Sequence, residues 1–231
     1  MAEDSHFLNW LAEWERSLPA GDLASVVADP ARVAVLCVDM THAFADQGRL
    51  ASPRVAGLIP AIARLLERTH ALGVRHYLFP QDTHAADAIE FGAYGPHGVV
   101  GTSESQTVPE LASLPFADLF VVMPKNSISV NLGTDLEPWL EAHPEVTTFI
   151  VVGNCTDICV YQAGMYLRLR ANVLVQRSVR VIVPAECVQT YDLPVDTAAR
   201  IGAMPHDGDL LHRVFLYHMA LNDVETIASL R

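Results

Sequence analysis

Five short apolar runs rich in β-branched residues set the terms on which this chain can fold. They are "RVAVLCVDM" (32–40), "VRHYLF" (74–79), "DLFVVM" (118–123), "TTFIVV" (147–152) and "VRVIVP" (179–184). Each is nearly continuous rather than alternating, as expected of a strand buried on both faces of a parallel sheet. Parallel neighbours need a long crossover, and helical patterns stand between the runs. One of them, "RVAGLIPAIARLLERTHALG", ends at Gly73, which suits a helix stopped by glycine. Near the C-terminus "VETIAS" supplies a candidate sixth strand.

This alternation predicts an α/β fold, a three-layer α/β/α sandwich around a mainly parallel sheet of about six strands, with right-handed crossovers. A chain of 231 residues, 51% hydrophobic, suffices for one such domain over 32–231. Residues 1–31 then form an N-terminal arm, whose Trp10, Leu11 and Trp14 make an apolar face to pack on the domain or on a partner subunit. Fifteen Lys and Arg stand against 27 Asp and Glu, and no basic stripe occurs, so neither nucleic acid nor an anionic membrane is an expected partner. The opening "MAEDSHFLNWLAEW" is acidic and lacks an uninterrupted apolar core, which predicts a cytoplasmic protein rather than an exported one.

In open parallel sheets, ligands bind beyond the carboxyl ends of the strands. The residues there are Asp39, Asp82, Lys125 and the 153–159 turn, and a Gly-, Pro- and His-rich loop over 80–117 lies alongside. The turn holds two of the four cysteines, Cys155 and Cys159, within "VVGNCTDICV". A reducing compartment disfavours a disulfide between them, leaving metal ligation or one reactive thiol with a bystander. Thr156 reads as a helix N-cap with Asp157 in the first turn, which puts Cys159 where free N–H groups and the helix dipole lower a thiol pKa. The plain alternative is that Cys159 is a small buried apolar residue. A nucleophilic thiol needs a proton acceptor and a cation, and Asp39 and Lys125 project from neighbouring strand ends.

Asp82 and His84 form a D-x-H pair whose side chains share one face, and Glu90 and His97 follow in the long loop. A carboxylate with two imidazoles suits Zn, Fe or Mn, although histidines are usually structural and this chain has ten. A second cluster, His206, Asp207, Asp209 and His212 in "PHDGDLLH", reads as a turn with Asp209 capping a helix.

"VLCVDMTHAF", "VMPKNS" and "VVGNCTDICV" resemble, in order, three motifs of the isochorismatase-like cysteine hydrolases, across about residues 32–190. The resemblance implies an isochorismatase-like, Rossmann-like fold and an Asp39, Lys125, Cys159 catalytic triad. It also implies a cis peptide at Asn154–Cys155 and an oxyanion hole made by the backbone N–H groups of Cys155 and Cys159. "PQDTHAADAIEFGAYGPHGVVGT" is similar to the metal-binding stretch of the nicotinamidase-like branch. That similarity implies a divalent ion, Zn2+ first with Fe2+ or Mn2+ as alternatives, on Asp82, His84 and His97. Glu90, seven residues before His97, corresponds to a further ligand in some members, and Phe44 and Tyr94 to the aromatics enclosing the substrate ring. Thr41 and His42 stand where Gln-Asn is common in the family, and Tyr94 where Trp or Phe is.

The implied activity is a nicotinamidase-like amidohydrolase cleaving nicotinamide or a related small carboxamide to acid and ammonia through a Cys thioester. Hydrolysis of another amide, a ureide or a vinyl ether, or ligand binding without catalysis, are the alternatives. The helix after Cys159 is apolar on more than one face, through Ile158, Met165 and Leu169, which predicts a homo-oligomer, a dimer or tetramer.

Overall fold

A computed structural model describes residues 2–231, with side chains from residue 6 onward. Six strands form the main path of the central sheet: β1 (Val33–Val38), β2 (His76–Asp82), β3 (Phe120–Lys125), β4 (Thr148–Asn154), β5 (Arg180–Pro184) and β6 (Glu225–Ile227). Their spatial order is β3-β2-β1-β4-β5-β6 and every pairing is parallel. A seventh strand of two residues, Val188–Gln189, extends the sheet beside the end of β4. The expected sixth strand is present as β6. The chain then pairs Ser229–Leu230 with Ala20–Gly21 in a separate two-stranded ribbon.

Among the described residues the longer helices are α1 (Ala2–Arg16), α2 (Ile59–Ala71), α3 (Leu136–Ala142), α4 (Cys159–Val173), α5 (Val195–Ile201) and α6 (Gly208–Leu221), with single-turn helices between them. Side chains of β1 alternate between the two faces, and all six of its residues are buried. Val33, Val35 and Cys37 join Tyr77, Phe79, Ile150 and Val152 against Ile62, Leu65 and Leu66 of α2. Ala34, Leu36 and Val38 join Leu78, Phe149 and Val151 against α3, α4 and α6 on the opposite face. One run of sequence thus feeds two cores, which explains why it reads as continuously apolar.

The arm packs on its own chain. Leu11 is fully buried, worth about 1.5–3 kcal/mol relative to exposure, and the rings of Phe7, Trp10 and Trp14 meet Tyr217 of α6 edge-on at 5.5–5.8 Å. On α4, Val160, Ala163, Gly164, Met165 and Leu167 are buried within the chain, whereas Leu169 is half exposed. No helix among the described residues is long and apolar enough to cross a membrane.

Candidate active site and metal centre

The strand order reverses between β1 and β4, and the candidate residues gather at that end of the sheet. Asp39 follows β1 directly with φ of 52°, a left-handed conformation rare outside glycine. Three hydrogen bonds hold it there. Its N–H donates to Pro80 O at 3.0 Å, its carbonyl accepts from Asn154 Nδ2 at 2.6 Å, and its Oδ1 accepts from the Asp82 N–H at 2.7 Å. Gly153 permits the closest approach of β4 to β1, since a Cβ there would lie 2.0 Å from Val38 O.

Asp82 and Lys125 are register partners at the ends of β2 and β3. Lys125 Nζ lies 2.9 Å from Asp39 Oδ2, donates to an Asp82 oxygen, and reaches Cys159 Sγ at 3.5 Å. All four residues are buried. The Asp39 contact is an ion pair off the hydrogen-bonding direction, so Asp39 Oδ2 has no aligned donor among the described residues and keeps acceptor capacity.

Burial, joined by the charge of Asp82, pushes the Asp39 carboxyl up to about 6 against the pull of Lys125. Burial also opposes charge on Asp82, but Lys125 and the two imidazoles more than offset it and hold that carboxyl well below the usual range. For Lys125, burial is outweighed by Asp39, Asp82 and Cys159, and the ammonium is retained well above its ordinary range. The Cys159 thiol is pushed well up by burial, with Lys125 pulling it down and the two carboxylates adding to the rise. The sequence-based expectation of a lowered thiol pKa is therefore corrected. Cys159 does open α4, but loss of solvent, with the two buried carboxylates, outweighs the pull of Lys125.

The turn also differs from the expected capping. The peptide Asn154–Cys155 is cis, as the family resemblance implied. α4 starts at Cys159 with Ile158 at the cap position and no side-chain cap, so Thr156 is not the N-cap and Asp157 precedes the first turn. Both side chains are spent elsewhere: Thr156 Oγ1 pairs with His212 Nδ1 at 2.8 Å, and Asp157 Oδ2 with His206 Nε2 at 2.7 Å. No hydrogen bond from the backbone N–H of Cys155 or Cys159 is found among the described residues, which leaves two donors free for an oxyanion. Burial, with Asp157 nearby, pushes the Cys155 thiol up to about 12, so Cys155 stays neutral. Asp207, not Asp209, caps α6, accepting from the Leu210 N–H at 2.9 Å, because Asp209 turns outward to Arg54 at 2.7 Å.

His84 and His97, thirteen residues apart, meet because the loop folds back: the His84 N–H donates to Gly98 O and the Val100 N–H to His84 O, both at 2.9 Å. Ligand atoms of Asp82, His84 and His97 then lie within 4.8 Å of one another. Asp82 approaches His84 Nε2 at 3.3 Å and His97 Nε2 at 3.4 Å. Each Nδ1 faces an acceptor, Asn126 Oδ1 at 3.2 Å for His84 and Gly95 O at 2.8 Å for His97. Those contacts select the tautomer with its lone pair on Nε2, aimed at the shared centre. The buried donor set of one carboxylate and two oriented imidazoles fits a borderline divalent cation, with positions left for water or ligand. Glu90 stands outside this group, its Oε2 accepting from the Ile128 N–H at 3.0 Å.

One cleft is lined by Asp82 and His97 together with Cys155 and Cys159. Phe44, Tyr94 and Glu90 line it as well, and the rings of Phe44 and Tyr94 stand 5.7 and 6.3 Å from His97. Leu50, Ile128, Ile158 and Tyr191 complete the wall and went unnoticed in the sequence as pocket residues. Ile158 alone had a local signal, its place beside Cys159. Thr41 is buried and bridges to Thr107, and His42 turns to Asp46 at 2.7 Å, so neither lines the cleft.

A buried thiol at a helix start, a cation shared with two carboxylates and two free N–H groups define a cysteine hydrolase of the isochorismatase type. The comparisons with known proteins agree: the Isochorismatase domain matches residues 33–207, and the chain belongs to that family of hydrolases. Nicotinamidase 1 of Arabidopsis thaliana is 32% identical over 145 residues, and the matched stretch spans only 59% of that relative's length and 59% of this chain. N-carbamoylsarcosine amidase from Thermoplasma acidophilum shares the fold with a TM-score of 0.64 at 22% identity, over 85% of this chain and 95% of its own. Pyrazinamidase of Pyrococcus horikoshii, solved in complex with zinc, has a TM-score of 0.61 at 21% identity, over 85% and 98% of the two chains.

Proposed function

We propose that the protein is a nicotinamidase-like amidohydrolase that converts a small aromatic or heteroaromatic carboxamide to its acid and ammonia. The observation that carries this reading is that one aromatic-walled cleft is lined by Cys159, which Lys125 contacts, and by Asp82 and His97 of the Asp82, His84, His97 donor set. The likeness to nicotinamidase 1 supports the amide class.

In this reading Asp39 Oδ2 takes the Cys159 proton as the sulfur attacks the amide carbonyl carbon. The proton passes to Asp39 as the carbon–sulfur bond forms. Lys125 stays charged throughout and neutralises Asp39 and the forming thiolate in turn. The N–H groups of Cys155 and Cys159 receive the oxyanion. Asp39 returns the proton to the departing nitrogen, ammonia leaves, and a thioester remains on Cys159. Asp39 then takes a proton from water as the hydroxyl adds to the thioester, and the proton ends on the regenerated thiol. A divalent ion on Asp82, His84 and His97 would supply Lewis acidity toward a ring nitrogen or a water. Phe44 and Tyr94 hold the ring between them and exclude water from its faces.

The test is ammonia release from a panel of nicotinamide, pyrazinamide, aliphatic amides and N-carbamoyl amino acids, with and without a chelator. The reading expects turnover of the ring carboxamides in the metal-loaded protein and its loss on chelation. Release from carbamoyl compounds alone would overturn it.

A further inference from the structure

The "PHDGDLLH" segment lies against the back of the nucleophile turn. His206 Nδ1 donates to Tyr191 O at 2.9 Å, and its ring stacks on that of Tyr191 with centroids 3.8 Å apart and planes 18° apart. The opposite ring nitrogen meets Asp157 Oδ2 at 2.7 Å, where both side chains are less than a tenth exposed. One residue earlier in the turn, Thr156 is held by His212. Gly208 keeps the strap tight, because a Cβ there would stand 2.6 Å from Tyr191 O.

Two facts give this arrangement a consequence for the reaction. α4 has no side-chain cap of its own, so the turn before it lacks the usual local brace. Tyr191 is itself a wall of the cleft, next to Cys155 and Cys159. We infer that His206 is a positioning residue that ties the pocket wall Tyr191 to the turn carrying Cys155 and Cys159. Tyr191 sets the width of the cleft, and the hold on Asp157 sets the aim of the two N–H donors. This inference rests on the proposed role of that turn. A buried carboxylate deprived of its partner moves toward water, and a shift of the turn by a fraction of an ångström misplaces both donors.

The test compares Tyr191→Ala, His206→Phe and Asp157→Asn in the metal-loaded full chain, with rates expressed per alkylatable Cys159. Tyr191→Ala should raise KM for a small ring carboxamide by about tenfold, a fall in kcat being the lesser effect, and should favour bulkier ring-substituted amides. His206→Phe can keep the stacking on Tyr191 but loses both the bond to Tyr191 O and the contact with Asp157, so kcat should fall by about a hundredfold, with a smaller rise in KM than in Tyr191→Ala. Asp157→Asn keeps a hydrogen-bonding partner for His206 and should lose less, and combined with His206→Phe it should add little further loss. A merely structural strap would lower Tm and the count of reactive thiols while leaving kcat and KM per thiol unchanged. That result across the three variants overturns the inference. Should the parent release ammonia from no amide, the proposed reaction fails separately. The inference is then decided by alkylation: His206→Phe, like Tyr191→Ala, should change the rate with N-phenylmaleimide relative to iodoacetamide, and an unchanged ratio in His206→Phe overturns it.

Discussion

Lys125→Met removes the cation set among Asp39, Asp82 and Cys159 while keeping a similar volume. Nζ stands 2.9 Å from Asp39 Oδ2, so at an effective dielectric constant near 20 that pair alone is worth about 6 kcal/mol of Coulomb energy. The Cys159 contact at 3.5 Å would be worth about 5 kcal/mol once the sulfur is ionised. Desolvation of the ammonium offsets much of this, and breaking a buried pair from one side costs about 3–5 kcal/mol in practice. The deficit carries a pH signature. Asp39 already has a raised pKa, which without Lys125 rises further, so its unfavourable burial is relieved by protonation in acid and grows as pH rises. Asp82, held low by Lys125, contributes stability present above the unfolded carboxylate pKa, and the variant loses part of it there. The Asp82 loss is nearly the same at about pH 5 and about pH 8, both above the unfolded carboxylate pKa, so the Asp39 effect makes the total loss larger at about pH 8 than at about pH 5. Urea unfolding of parent and variant at the two pH values, in chelator, measures it. A deficit below about 1 kcal/mol, or one equal at both pH values, would refute the electrostatic account of Lys125.

Cys159→Ala should abolish turnover while ligand binding survives, whereas Cys155→Ala should keep substantial activity because it contributes only its N–H; reversed results would exchange their roles. Asp39 must be ionised to accept the thiol proton, so kcat/KM should fall in acid along a limb near pH 6, and Asp39→Asn should remove activity; a limb unmoved by metal loading would count against the coupling of Asp39 to Asp82. Glu90→Gln keeps an oxygen for the Ile128 N–H, so a three-ligand site predicts unchanged metal content by elemental analysis. A clear drop in that content would restore Glu90 as a ligand.

The sequence alone determined the sheet and most of the chemical inventory. Runs such as "VAVLCV" are apolar at every position because β1 faces a core on each side, a constraint written locally in the chain. Asp39, Asp82 and Lys125 were legible for a related reason: strand ends at one rim of a parallel sheet converge, so position along the chain implies position in space. The D-x-H pair was legible by strand geometry, and His97 by family likeness, although only the fold-back at Gly98 brings it to His84. Tertiary structure decided the rest. Thr156 and Asp157 look like capping residues in isolation, yet His212 and His206, some fifty residues away, compete for their oxygens and win. Tyr191 carries no local signal at all, since a pocket wall is defined by what stands opposite it. The pKa of Cys159 follows the same logic: its helix-start position is a local property, but the burial and the two carboxylates that raise it come from other strands, and electrostatics acts through distance in space.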